Sequence, residues 1–280
     1  MLKDRKLIVK SIFSNYSVPE GYRFINESDE WIINAKIDGK ILLQKSDKSS
    51  SDITIDVKKT VAAASVKDDM LAILFANNET AIYSLSTKEM IFKEEATAPI
   101  ALDARIANPY IFNDLVIFLS LDGKIQIVNS KSKKVLRSIT LGKKEYFDDI
   151  IYFNMINNIM VAATSHTILS FGIKEFRQNY DIRDVVYNED GIWVTTKQGE
   201  VIALDPALEV KASKKFPFAH FLGMIVRNDK VYVIEKEGYL IVLDKDLKEH
   251  KIYDADVGDG FVFVSDDVFF NDNSYIKCKE

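Results

Sequence analysis

Few side chains in this chain can do chemistry, and their spacing is the first constraint on function. There are three histidines, His166, His220 and His250, with no two close in sequence. A hydrolytic triad needs a nucleophile, a base and an acid that orients the base, so these three are the whole pool of imidazole bases. His166 falls at a hairpin turn and His250 in the charged run Lys248-Glu249-His250-Lys251, both surface settings. His220 heads an apolar strand and is the one imidazole expected to face a central channel. Its structural alternative is packing among Phe216, Phe218 and Phe221. The single cysteine, Cys278, excludes an intrachain disulfide and a cysteine-based metal centre. Asp148-Asp149 and Asp266-Asp267 could attract a cation. A calcium loop, however, needs alternating oxygens over a longer stretch, and both pairs are read as solvated turn carboxylates. No glycine-rich phosphate loop is present. The basic pairs Lys143-Lys144 and Lys214-Lys215 are too short to track a phosphate backbone. No catalytic residue, cofactor or metal is therefore expected.

Composition agrees. Lys plus Arg number 37 against 42 Asp plus Glu, a formal charge of −5, which argues against a nucleic-acid partner. The 280 residues allow one large domain or two. No apolar run reaches the 18 residues of a membrane-spanning helix, and the N-terminal residues lack the apolar core of a signal peptide. Two settings stay open: the cytoplasm, or a compartment reached through a leader already removed before Met1.

The elements that must position these residues come from an internal repeat. Leu115–Ser120, the turn Leu121-Asp122-Gly123-Lys124 and Ile125–Val128 make a hairpin. An Asp-Gly turn in this setting calls for positive φ at both turn residues. The unit recurs with turn markers at Gly39, Asn78, Gly123, His166, Gly199, Gly238 and Asn273. The gaps are 39, 45, 43, 33, 39 and 35 residues, about 39 on average. Apolar runs before and after each copy complete four short strands per repeat, the blade of a β-propeller. The prediction is an all-β, seven-bladed β-propeller of four-stranded blades, one domain over residues 1–280. The N-terminal segment Lys6–Phe13 is expected to supply the fourth strand of the last blade. Lys45–Asp52 is a polar surface loop. Only eleven glycines serve all these corners, so asparagine must take some of them.

The third-strand segments Gln198-Gly199-Glu200-Val201-Ile202-Ala203-Leu204-Asp205 and Glu237-Gly238-Tyr239-Leu240-Ile241-Val242-Leu243-Asp244 resemble PQQ-like repeats, and Asp122–Asn129 is similar. Arg105–Pro109, Leu121–Ile125 and Lys215–Phe221 make the chain look most like BamB-like propellers, in particular periplasmic lipoproteins of epsilonproteobacteria. The family's Thr-Gly turn and docking tryptophan are absent. Trp31 and Trp193 fall in second strands, and vicinal cysteines cannot exist with one Cys. The resemblance therefore implies a propeller scaffold and a protein-binding role assisting outer-membrane protein assembly, without quinone binding or dehydrogenase activity. It implies a periplasmic monomer that meets the membrane only through a lipid anchor removed from this sequence. A cytoplasmic scaffold and a PQQ-like small-molecule-binding or enzymatic propeller are the alternatives.

In a propeller the first strand of each blade lines the axis. Stepping back seven or eight residues from the polar pairs Asn113-Asp114, Asn157-Asn158, Asn228-Asp229 and Asp266-Asp267 reaches Arg105, Asp149, Phe221 and Asp259, and a similar step from Asp190 reaches Arg183. Arg105 and Arg183 could face Asp149, either as an internal ion-pair girdle or as a docking mouth. Arginine and aromatic residues are favoured in protein-binding hot spots. The candidate partner contacts are Arg105, Asp149, Arg183, Lys215, Phe216, Phe218, His220 and Phe221, with Lys143–Phe147 as a second basic–aromatic segment.

Overall fold

The computed structural model describes residues 6–9, 12–47, 51–98, 105–142, 148–255, 262–265, 267–271 and 274–278. It divides into two compact units, Val18–Ile151 and Met1–Ser17 with Tyr152–Glu280. Among the described residues every regular element is a β-strand.

The first unit holds three four-stranded antiparallel blades. Blade one is Arg23–Ser28, Trp31–Ala35, Lys40–Lys45 and Ile53–Asp56. Blade two is Val61–Lys67, Met70–Phe75, Thr80–Ser84 and Glu89–Glu94. Blade three is Tyr110–Phe112, Leu115–Leu119, Lys124–Asn129 and Lys134–Thr140. In the second unit, blade four is Tyr152–Ile156, Ile159–Ala163, Thr167–Phe171 and Glu175–Asn179. Blade five is Ile182–Asn188, Gly191–Thr196, Glu200–Leu204 and Val210–Lys215. Blade six is Phe221–Arg227, Lys230–Glu235, Tyr239–Asp244 and His250–Asp254. Blade seven shows Val262–Ser265, Val268–Asn271 and Ser274–Lys277.

The N-terminal expectation needs correction in its detail. Lys6–Val9 pairs with Ile12–Ser17 as a two-stranded hairpin, so among the described residues the seventh blade has three strands and this segment pairs with itself. The eight residues read as one strand fall on two paired strands. The hairpin does belong to the same compact unit as the closing blades.

Strand alternation explains the core. Successive side chains point to opposite faces, and in blades two and six the middle strand is covered on both. In blade two, Leu71, Ile73 and Phe75 pack with Ile33, Ile41 and Leu43 of blade one, while Ala72 and Ile82 pack with Val116 and Phe118 of blade three. In blade six, Val231 and Val233 face Trp193 and Val201 of blade five, while Tyr232 and Ile234 face Phe269 and Cys278 of blade seven. Two-sided burial is why these strands read as continuous apolar runs. Each fully buried aliphatic contributes about 1.5–3 kcal/mol.

The corners follow two rules. The second-to-third strand turns at Gly39, Asn78, Gly123, Gly199 and Gly238 all have a positive φ at the marker. Their form differs from the expectation. Gly123 N–H donates to Ser120 O and Ser120 N–H to Lys124 O, closing a three-residue loop in which Asp122 keeps an ordinary φ. This is a turn followed by a single left-handed residue, the bulged hairpin. Blade four departs from it. Thr164 N–H donates to Thr167 O across only Ser165 and His166, which accounts for the poor match at His166. The marker at Asn273 lies outside the described residues. The first-to-second strand turns of blades one to six are two-residue loops, among them Asn157-Asn158 and Asn228-Asp229, where both residues take positive φ. Asn and Asp tolerate that conformation, and this resolves the shortage of glycine.

Candidate functional site

The segment that links blade five to blade six carries five of the eight candidates. It leaves the strand Val210–Lys215 and turns back through Phe216-Pro217-Phe218-Ala219. Ala219 N–H donates to Phe216 O at 3.2 Å and Phe218 has φ of 68°. Proline at the second position and a left-handed residue at the third define a type II turn, where glycine or asparagine is the usual occupant. A phenylalanine there is a conformational outlier. Its ring gains no burial in return, since Phe218 is 95% exposed.

The turn is held at both ends. Phe216 N–H donates to Gly199 O at 2.8 Å. A Cβ on Gly199 would lie 2.4 Å from Phe216 O, so glycine is required for this approach. At the other end His220 N–H donates to Glu235 Oε1 at 3.0 Å, and Lys236 N–H donates to His220 O at 2.9 Å. Phe216 packs edge-on against Phe221 and against His250, with ring centroids 6.3 and 5.2 Å apart. Lys215, Pro217 and His220 are exposed. The alternative of a histidine packed among three phenylalanines is corrected: His220 and Phe218 face solvent, and only Phe216 and Phe221 join the interior.

Arg183 and Phe221 are brought together, since Arg183 Nε donates to Phe221 O at 2.8 Å. Arg23 of blade one, which sequence reasoning passed over, makes the matching bond from Nη2 to Val61 O of blade two. Asn26, Ser28 and Asn154 reach the next blade's first strand in the same way. The signal available was the 38-residue separation, close to the repeat. This arginine is used to tie neighbouring first strands through a backbone carbonyl.

Arg105 and Asp149 lie in the other unit. Arg105 is half-buried in the extended stretch before Tyr110, and Ala107 N–H donates to Ile150 O at 3.1 Å, so the two segments run alongside each other. The reading of Asp148-Asp149 as solvated turn carboxylates is overturned: they are 2% and 1% exposed. The cause is the Gly123 turn, which packs so closely that a Cβ there would meet Asp148 O at 2.3 Å. Asp267 is also buried, with Arg227 Nη1 at 2.9 Å and Lys277 Nζ at 3.5 Å. Asp259, Asp266 and Lys143–Phe147 lie outside the described residues.

Two open grooves lie elsewhere. One of about 440 Å³ between blades two and three is lined by Glu94, Asp122, Lys124 and Gln126. One of about 640 Å³ between blades four and five is lined by Ile159, Ile173, Phe176 and Pro206. Neither includes a candidate residue. Among the described residues, no group of three His, Cys, Asp or Glu side chains converges on a metal position.

This architecture defines the class: an all-β propeller of antiparallel blades whose linking segment presents an aromatic side chain to solvent. The solved structure of BamB from Moraxella catarrhalis superposes with a TM-score of 0.71 at 12% identity, covering 90% of this chain and 82% of that one. At that identity the likeness shows the fold, a BamB-like β-propeller. No protein-family model matches the chain. Among curated proteins, the chain is 29% identical over 234 residues to plasminogen-binding protein PgbB of Helicobacter pylori strain J99 / ATCC 700824, covering 80% of this chain and 43% of that protein. It is also 29% identical over 235 residues to the protein of that name from strain ATCC 700392 / 26695, with the same coverage. The chain thus spans less than half the length of these relatives.

Proposed function

We propose that this protein is a non-enzymatic, protein-binding propeller that docks a partner through Lys215–Phe221. The observation that carries the reading is Phe218, an exposed aromatic on a turn anchored at both ends. A rigid aromatic loses little entropy when it enters a partner's pocket, which is how hot spots gain affinity. Lys215 and His220 flank it, Phe216 and Phe221 root it, and Arg183 holds the backbone of Phe221. The docking segment does not include Asp149, which at 1% exposure is withheld from a partner. The BamB-like fold and the relatives named for binding a protein support a binding role.

The finer reading is a PQQ-like repeat protein of the periplasm that assists outer-membrane protein assembly. The fold likeness supports it. The full gene product should then carry a leader with a lipobox cysteine ahead of Met1, and a native cytoplasmic start would sink this reading. The relatives' name favours a second partner, plasminogen. Immobilised plasminogen and an immobilised outer-membrane assembly component, each probed with the wild-type chain and with Phe218→Ala and Lys215→Glu, test both. The expected result is capture by one of them and a loss of roughly 30-fold in affinity for Phe218→Ala. Equal capture of all variants refutes the docking segment. We further propose that both compact units form one domain, as the unbroken repeat suggests. Calorimetry should show a single transition, and two separate ones would overturn this.

A further inference from the structure

We infer that Glu235, absent from the sequence-derived candidates, is the positioning residue that sets the outward pose of Phe218. This rests on the docking reading above. Glu235 ends the second strand of blade six and is 5% exposed, an unusual place for a carboxylate. Both its oxygens are engaged by backbone. Oε1 accepts His220 N–H at 3.0 Å and Oε2 accepts Glu237 N–H at 2.8 Å. Its neighbour's Lys236 N–H donates to His220 O at 2.9 Å, so the one peptide position is gripped on donor and acceptor sides. Glu235 O also accepts Gly238 N–H at 3.0 Å, so the gripping residue is itself built into the hairpin turn.

The consequence follows from chain connectivity. His220 is two residues after Phe218. A turn that places a phenylalanine at φ of 68° is disfavoured by its own sequence and persists only where its surroundings over-determine it. The Gly199 contact fixes the entry at Phe216, and Glu235 fixes the exit at His220. Removing the side-chain acceptor leaves the exit held on one side only, by Lys236 N–H, and the turn can relax to an ordinary φ that redirects the ring. A buried acid spent wholly on backbone N–H groups of a link and a turn contributes to conformation rather than to contact with a partner.

The test is amide hydrogen exchange on the full chain, read by NMR at Ala219 and His220, with Val233 as the reference in the supporting strand. The wild type and Glu235→Gln, which keeps an acceptor for His220, should protect both amides. Glu235→Ala should speed their exchange by at least tenfold while Val233 is unchanged. Unchanged protection in Glu235→Ala overturns the proposal. An equal loss at Val233 also overturns it, because Glu235 would then be supporting the blade as a whole. Since this readout needs no partner, its failure is separate from that of the docking reading, which stands or falls on capture by Phe218→Ala.

Discussion

Replacing Phe218 by glycine separates exposure from strain and gives the sharpest test of the link segment. The ring is 95% exposed, so its removal forfeits almost no burial. A non-glycine residue in the left-handed region costs roughly 1–2 kcal/mol, and φ of 68° places Phe218 there. Glycine adds unfolded-chain entropy worth about 0.5–1 kcal/mol in the opposite direction. The net expectation for Phe218→Gly is a stability between unchanged and about 1.5 kcal/mol higher. Phe221, three residues on and 3% exposed, is the control. Phe221→Ala should cost about 3–5 kcal/mol. Urea unfolding followed by circular dichroism, with matching slopes for the three proteins, measures both. The glycine variant should also lose partner capture, so that a stabilising change removes function. A loss of more than about 1 kcal/mol in Phe218→Gly would mean that the ring packs against the protein, and would refute the reasoning.

Other consequences are as direct. Asn78 combines a φ of 69° with a side chain whose Oδ1 accepts Leu121 N–H from the next blade at 2.8 Å. Asn78→Gly, which keeps the turn, should cost about 1–3 kcal/mol for the buried N–H left without a partner. Asn78→Ala should cost about 1 kcal/mol more through strain, and equal stabilities in denaturant would refute this division. Cys278 is buried, and desolvation with the charge of Asp267 pushes its thiol up to about 12. At pH 8 the folded protein should react slowly with a thiol reagent and take up one equivalent in urea; rapid labelling of the folded form would contradict this. Glu79 lies below its ordinary 4.5 because Lys59 binds its carboxylate, with Asn77 and Lys93 assisting. Its contribution is present above the unfolded value and lost as pH falls through the lower folded one. The acid-side decline in stability below about pH 4.5 should therefore be shallower in Glu79→Gln, and identical pH profiles would refute the assignment.

Much of the fold was legible because its signals are local. A hairpin declares itself within four or five residues, so the markers at Gly39, Asn78, Gly123, Gly199 and Gly238 were readable, and each has positive φ. The three-residue form of the loops was not readable from Asp-Gly alone, because one added residue changes register without changing composition. The link segment was visible as a cluster of Phe and Lys. Its Pro217 was the overlooked cue for a type II turn. Burial of Asp148 and Asp149 was misread because polar pairs elsewhere sit in exposed turns, and nothing in their own neighbourhood reports the Gly123 turn packed over them.

The sequence by itself determined the repeat, the strand count of a blade, the two-sided apolar faces and the residues that turn its corners. Each depends on alternation along one strand or on the φ preference of one residue. Only the tertiary structure decided that Phe218 projects while Phe221 is buried, that Arg183 serves a neighbouring carbonyl, and that Glu235 grips His220. These join residues 15 to 38 apart across adjacent blades or across a link and a turn. Such pairings are selected by packing geometry, and side chains of the same type at the same spacing do not distinguish a residue that ties two strands from one that waits for a partner.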